Sequence, residues 1–131
     1  MSAGERDLGR LLAGMSPRLR DGEWVFAVAP DGAAGLDPVA TVREDEGLTV
    51  VVSRAVADEH GLDYDFVAAW ITLEVHSALD AVGLTAAVSA ALTERGISCN
   101  VVAGRFHDHL FVPADRASDA VSALRDASGG W

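Results

Sequence analysis

Hydrophobic positions recur along the first half of the chain with two different periods, which separate helices from strands. Leu8, Leu11, Leu12 and Met15 are spaced by three and four residues, so we predict a short amphipathic helix over Asp7 to Met15. Pro17 and the polar residues after it break this pattern. Stretches rich in β-branched and aromatic residues then predict three strands, and a short helix closed by a glycine follows them. These elements are "EWVFAVA", Val39 to Arg43, Leu48 to Ser53 and "RAVADEHG".

The second half begins with a strand whose two faces differ. Within Tyr64 to His76, Ile71, Leu73 and Val75 fall on one face, which we expect in the core, while Trp70 and Thr72 fall on the other. Helical spacing predicts a helix over Leu84 to Arg95, with Thr85 as its N-cap and Gly96 as its stop. Two strands and a final helix complete the pattern, in "ISCNVVAG", "HLFVP" and Asp115 to Ala127.

The two halves have similar element orders, which predicts two related but unequal α+β units. The first reads helix, strand, strand, strand, helix, and the second reads strand, helix, strand, strand, helix. About six strands divided between two small units would leave sheet edges open, and unpaired edges favour pairing between units. The pattern therefore predicts an intertwined pair, with units over residues 1–62 and 63–131.

Composition narrows the classes of protein that fit this pattern. The 131 residues are 50% hydrophobic and carry a net charge of -10 with no lysine, which opposes binding to nucleic acid or to an anionic membrane surface. No apolar run approaches the ~20 residues that span a bilayer. The single cysteine, Cys99, forms no internal disulfide, and no secretory signal is visible, so we expect a cytoplasmic protein.

Residues Trp70 to Pro113 resemble the second half of small bacterial proteins with two tandem ACT domains. The resemblance rests on "VHS.L.AVGLTA", "GISCNVVA" and "HDHLFVP", which occur in the order and spacing of that family. More broadly, the segment is similar to the ACT modules of the arginine-sensing CASTOR proteins. The resemblance implies a ferredoxin-like fold of βαββαβ units, with helices on one face of an antiparallel sheet. Since each half lacks one element of that unit, we expect segments to be exchanged, with the strand that ends at His76 shared.

The resemblance also implies a ligand site. ACT modules bind small effectors, often amino acids, between units at the loop after the first strand, which here runs from His76 to Leu84. Glycine in this loop would allow close approach of a ligand, and the N–H groups at a helix start attract a carboxylate. The residues that we predict to line the site are His76, Ser77, Val82, Gly83, Leu84, Thr85, Cys99, Asn100, Val101, His107, Asp108 and His109.

Several of these side chains have alternative interpretations. His107 and His109 lie on one side of a strand and could bind a transition metal with His76 or Asp108, although their spacing is not that of a known zinc motif. The alternative is that they bond loop backbone or line the effector pocket. Cys99 could act as a nucleophile beside a histidine, but a buried, inert thiol is more common. The Asn100 amide needs hydrogen-bond partners, from the protein or from a ligand.

The sequence therefore predicts a non-catalytic regulatory or sensor protein that binds a small molecule, with an amino acid as the expected effector. We expect no cofactor and no bound metal, and we expect a homodimer. A structural or protein-interaction module without a ligand is the first alternative. A metal-dependent enzyme that uses His76, His107 and His109 is the second.

Overall fold

The computed structural model describes residues 7–75 and 82–130, which form one antiparallel sheet with helices packed on one face. The strands are β1 (Pro17–Leu19), β2 (Trp24–Val28), β3 (Ala40–Glu44), β4 (Gly47–Ser53), β5 (Val67–Leu73), β6 (Asn100–Ala103) and β7 (Asp108–Pro113). The helices are α1 (Leu8–Gly14), α2 (Arg54–Glu59), α3 (Leu84–Thr93) and α4 (Ala117–Gly130), and a 3-10 turn, Ala114–Arg116, precedes α4.

Strand β5 belongs to both halves of the sheet. The strand order is β3-β4-β2-β5-β7-β6, and β1 also pairs with β5. Along one edge of β5, Ala68 lies opposite Trp24 of β2, and farther on Ile71 lies opposite Leu19 of β1. The other edge of β5 pairs with β7. The first unit thus uses β5 as its last strand, the second uses it as its first strand, and the predicted shared strand is confirmed.

Strand β1 adds a strand to the sheet of the second unit. It lies beside the C-terminal half of β5, and backbone hydrogen bonds continue the pairing where Arg20 N donates to Trp70 O and Glu74 N donates to Ser16 O. The helix ends before Pro17, as predicted, but Pro17 also begins a strand that the sequence did not predict. Proline is tolerated here because it is the first residue of a short strand at the edge of the sheet, where no ladder hydrogen bond requires its missing N–H.

Two hydrophobic clusters fill the space between the sheet and the helices. In the second unit, buried residues of α1, α3 and α4 pack on Ala69, Ile71 and Leu73, which confirms that the aliphatic face of β5 is core. In the first unit, Ala57 of α2 packs on β2 and β4, and Leu36 from a turn-rich segment covers the sheet where a helix is missing. Within the described ranges, no helix is long and apolar enough to cross a membrane.

Candidate functional site

The predicted ligand loop leaves the sheet where β5 ends and enters α3 at Gly83. Leu73, the last residue of β5, lies opposite Asp108, so the start of β7 borders the same end of the sheet. Gly83 is the N-cap of α3, with φ of +99°, and no side chain of the described residues caps the helix. The prediction of Thr85 as the N-cap is wrong: Thr85 lies exposed in the first turn. A left-handed backbone angle favours glycine, and the first N–H groups of α3 have no intrahelical acceptor.

A leucine from α1 covers Gly83. A Cβ atom built at Gly83 would lie 3.1 Å from Leu8 Cδ2, so this position has no room for a larger residue unless Leu8 moves. Leu8 itself remains 37% exposed. Val82, just before the glycine, is 83% exposed, and it lies in the segment that joins the loop to the helix. Sequence reasoning missed Leu8 as a neighbour of the loop.

The strand alternation of β6 separates the other predicted residues between two faces of the sheet. Leu84 is buried in the hydrophobic cluster beneath the helices, and Cys99 and Val101 pack against that cluster. Asn100 is exposed and lies opposite Phe111, on the face away from the helices. These residues therefore do not share one pocket within the described part of the chain. His76 and Ser77 lie outside the described residues.

The half-buried Cys99 thiol packs against the hydrophobic cluster, and this burial raises its pKa to about 11. Because the thiolate is the reactive form, we expect the thiol to react with a disulfide reagent at pH 8 about 100-fold more slowly in the native protein than in the unfolded chain. Stopped-flow absorbance with Ellman's reagent, with and without guanidinium, measures both rates. Equal rates would contradict the inert interpretation and favour an activated cysteine.

On the face of the sheet away from the helices, four side chains form a hydrogen-bonded group. Trp70 Nε1 donates to His109 Nδ1 at 3.1 Å, and Thr72 Oγ1 lies 3.1 Å from the same nitrogen. Arg20 Nε donates to Thr72 Oγ1 at 3.0 Å, and its guanidinium lies 4.5 Å from the centre of a Trp70 ring. Because His109 Nδ1 accepts a hydrogen bond, the neutral imidazole carries its proton on Nε2.

Burial lowers the pKa of His109, and the neighbouring Arg20 and His107 lower it further, so its ring stays neutral at physiological pH. The neutral His109 ring contacts the Thr72 hydroxyl, and this hydroxyl accepts a hydrogen bond from Arg20. The Thr72 hydroxyl therefore holds the Arg20 side chain in position. Thr72 is 1% exposed, and sequence reasoning did not select it or Arg20. The available signal was a hydroxyl in an otherwise apolar strand, since a buried hydroxyl needs partners.

Two polar side chains near the start of β7, His107 and Asp108, are partly buried. Burial raises the pKa of the half-buried Asp108 carboxyl, although the neighbouring His107 opposes this. His107 Nδ1 is buried with no hydrogen-bond partner among the described residues. Within residues 7–75 and 82–130, no group of three His, Cys, Asp or Glu side chains is arranged to hold a metal ion. His76, the third ligand of the metal alternative, is outside those ranges.

Comparison with known proteins identifies two ACT domain matches, one over residues 3–69 and one over residues 66–126. VC0802, a Vibrio cholerae protein of unknown function, is 44% identical to this chain in sequence. Its crystal structure superposes on this one with a TM-score of 0.84, and the match covers 92% of this chain and 95% of that one. No curated protein matches the sequence.

Two more distant structures share the fold. Atu0741 from Agrobacterium tumefaciens is 20% identical, with a TM-score of 0.63 over 87% of this chain and 89% of that one. The regulatory subunit of aspartate kinase from Thermus thermophilus is 13% identical, with a TM-score of 0.67 over 88% and 97%. The first half, which the sequence related to the family only by its organisation, now has a match of its own. This chain therefore belongs to the ACT domain family of regulatory modules and carries two ACT units in tandem.

Proposed function

We propose that this protein is a non-catalytic regulator that binds an amino acid at the end of the sheet where β5 leads into α3. The observation that carries the proposal is the start of α3 behind Gly83, which no side chain of the described residues caps, at the same end of the sheet as the half-buried Asp108. Backbone N–H groups at a helix start attract a carboxylate, and a carboxylate attracts an ammonium group. An α-amino acid carries both groups.

Asp108 fits this role because its charge is costly in the unoccupied protein. Burial raises the pKa of the carboxyl, which means that the ionised form is stabilised less by the protein than by water. A ligand ammonium beside it would supply the missing counter-charge. The buried His107 Nδ1, which lacks a partner among the described residues, is a second polar atom at this end that a ligand could satisfy.

Binding at this position would act on both units because they share β5. We place the units at residues 1–62 and 63–131, and we place the protein in the cytoplasm on the ground of its single cysteine. A ligand shifts an equilibrium between two packings only by its different affinity for them. A site at the end of the shared strand, next to α1 and its Leu8, would give it such a difference.

Calorimetric titration with each of the twenty amino acids tests the proposal, and Asp108→Asn tests the site. We expect at least one amino acid to bind with a Kd below about 1 mM, and we expect Asp108→Asn to weaken this binding about tenfold or more, a loss of ~1.4 kcal/mol.

The Asp108→Asn variant should be at least as stable as the wild type at pH 7. The sign follows from the raised pKa: an ionised Asp108 favours the unfolded state at any pH above its folded pKa, and asparagine removes that cost.

Asp63→Asn is the matched control, since Asp63 is exposed and precedes β5 at the opposite end of that strand. It should leave the affinity unchanged. Absence of binding by every amino acid at millimolar concentration, or full affinity in Asp108→Asn, would argue against the proposal.

A second candidate function, an interaction module without a ligand, is favoured by the aromatic face of the sheet opposite the helices. That face carries Trp24, Phe26, Phe66 and Trp70 around a buried centre, and no residue of a described helix belongs to its cluster. Dimerisation together with absence of amino-acid binding would favour this candidate.

A further inference from the structure

No helix within residues 7–75 and 82–130 contributes to the hydrophobic cluster on one face of the sheet. Its buried centre consists of Val51, Ala68 and Phe111, and partly buried hydrophobic side chains surround that centre. We call this surface the open face. Beyond the three central residues, it includes Trp24, Phe26, Val28, Val39, Ala40, Val42, Phe66, Trp70 and Val102. A contiguous apolar surface on a folded protein marks a site of interaction.

The aromatic side chains of the open face pack against one another. Trp24 meets Trp70 edge to face with ring centroids 4.9 Å apart, and Phe26 meets Phe111 in the same way at 5.4 Å. Toward the first unit, Val28 is 51% exposed and Val42 is 55% exposed, although both lie on strands. Tryptophan, phenylalanine and arginine are the residues enriched in the cores of protein interfaces.

Opposite ends of the open face carry opposite charges. Near the end of β5, Arg20 and Arg18 share the face with Thr72, because Arg18 lies directly opposite Thr72 in the sheet. The Arg20 guanidinium is fixed through its Nε, and within the described residues its two Nη atoms make no hydrogen bond. Glu74 is exposed just beyond β5 and only partly offsets this charge.

The acidic end lies where β2 finishes. Asp63 and Asp65 border a cavity of about 390 Å³ together with Phe26, Val28 and Thr49 of the open face. Glu44 accepts a hydrogen bond from Thr49 Oγ1, which places a third carboxylate on this side. The strand register places these groups beyond the start of β5, whereas the two arginines lie beside its C-terminal half.

We infer that the open face binds a second copy of this chain, face to face, across a two-fold axis that lies between the two sheets and runs perpendicular to β5. Rotation about such an axis reverses the direction from the basic end to the acidic end. The two arginines of each copy then face the carboxylates of the other copy, so this contact occurs twice in the dimer. The aromatic centres of the two copies meet in the middle. A two-fold interface must be self-complementary, and the order of basic end, apolar centre and acidic end satisfies this requirement. The inference goes beyond the proposed function and does not depend on it.

Charge reversal at each end tests this arrangement. The first variant, Arg18→Glu with Arg20→Glu, makes both ends acidic, and the second, Asp63→Arg with Asp65→Arg, makes both ends basic. Each variant alone should dimerise about 100-fold more weakly than the wild type, because like charges now face each other. An equimolar mixture should recover a dimer of one copy of each, since every acidic end then meets a basic end. Sedimentation velocity on the full chain measures all three samples.

Matched controls carry the same change in charge on the helix side. Arg43→Glu with Arg125→Glu, and Glu59→Arg with Glu94→Arg, alter exposed residues that lie off the open face, and both should remain dimeric. Because Arg20→Glu also removes the hydrogen bond to Thr72, Val42→Arg provides an independent variant. Val42 is more than half exposed, so its replacement should break the dimer with little cost to folding, which circular dichroism checks.

A monomeric wild-type protein would overturn the inference, and so would a dimer that survives both charge reversals and Val42→Arg. The β6 edge of the sheet offers the competing arrangement, in which two sheets join side by side. That arrangement predicts dimers in every open-face variant and no preference for the mixed pair. Recovery of the mixed dimer would exclude it.

Discussion

Replacing Leu11 by alanine is expected to lower the free energy of unfolding by about 2–5 kcal/mol. Leu11 is fully buried, and its cluster combines α1 with residues of β5, α3 and α4. The side chain therefore joins the start of the chain to the core of the second unit, and its removal leaves a cavity between elements that cannot easily collapse. Denaturant unfolding followed by circular dichroism, at one fixed protein concentration, gives the value.

Leu19→Ala is the control for this prediction. Leu19 lies on β1 and is 47% exposed, so its replacement should cost about 0.5 kcal/mol or less. Equal stabilities for the two variants would mean that α1 contributes little to the core in solution, and the account of α1 as part of the second unit would then be wrong.

Replacing Phe111 by alanine should cost about 3–5 kcal/mol, which is the second large effect that we expect. Phe111 is fully buried although none of the four described helices contributes to its cluster, because Trp70 stacks on its ring at 6.1 Å and Phe26 approaches edge to face. Its loss would remove the support for the aromatic rings of the open face. Thermal and denaturant unfolding measure the change.

Phe106→Ala provides the same chemical change at a half-exposed position, and it should cost under about 1 kcal/mol. A small effect at Phe111 would show that the aromatic cluster rearranges to fill the space, and the open face would then be a mobile surface rather than a preformed one.

Much of the fold follows from local pattern. The alternation of Trp70, Ile71 and Thr72 predicts which side of β5 is core, because successive side chains on a strand point to opposite faces. The missing elements of the two units also predict a shared strand, since an incomplete sheet leaves backbone groups unpaired. Both inferences need only short-range periodicity and a count of strands.

Strand β1 could not be predicted in this way. Its three residues, Pro17–Leu19, are too few to show alternation, and the pattern around them is polar. What makes the segment a strand is its partner on β5, about 50 residues later in the chain, so the cause is tertiary. Pairing with a neighbouring strand at an open sheet edge outweighs the weak strand propensity of such a short segment.

The candidate site was predicted only in part because side-chain direction separates sequence neighbours. Cys99 and Val101 pack toward the helices, whereas Asn100 between them faces away, so a run of adjacent residues does not make a pocket. Gly83 as the N-cap was missed because glycine and threonine have similar capping preferences, and the contact with Leu8 that accompanies the glycine comes from a distant segment. Asp108 was selected, but its burial required the structure.

The pairing of β1 with β5 also orders events during protein synthesis. Ribosomes elongate at roughly 5–20 residues per second, so the segment Pro17–Leu19 waits for several seconds before its partner leaves the exit tunnel. During this interval the leucines of the amphipathic α1 have no β5 surface to pack on. Folding of the second unit is therefore expected to begin only after β5 has left the tunnel, although α1 and β1 are made before it.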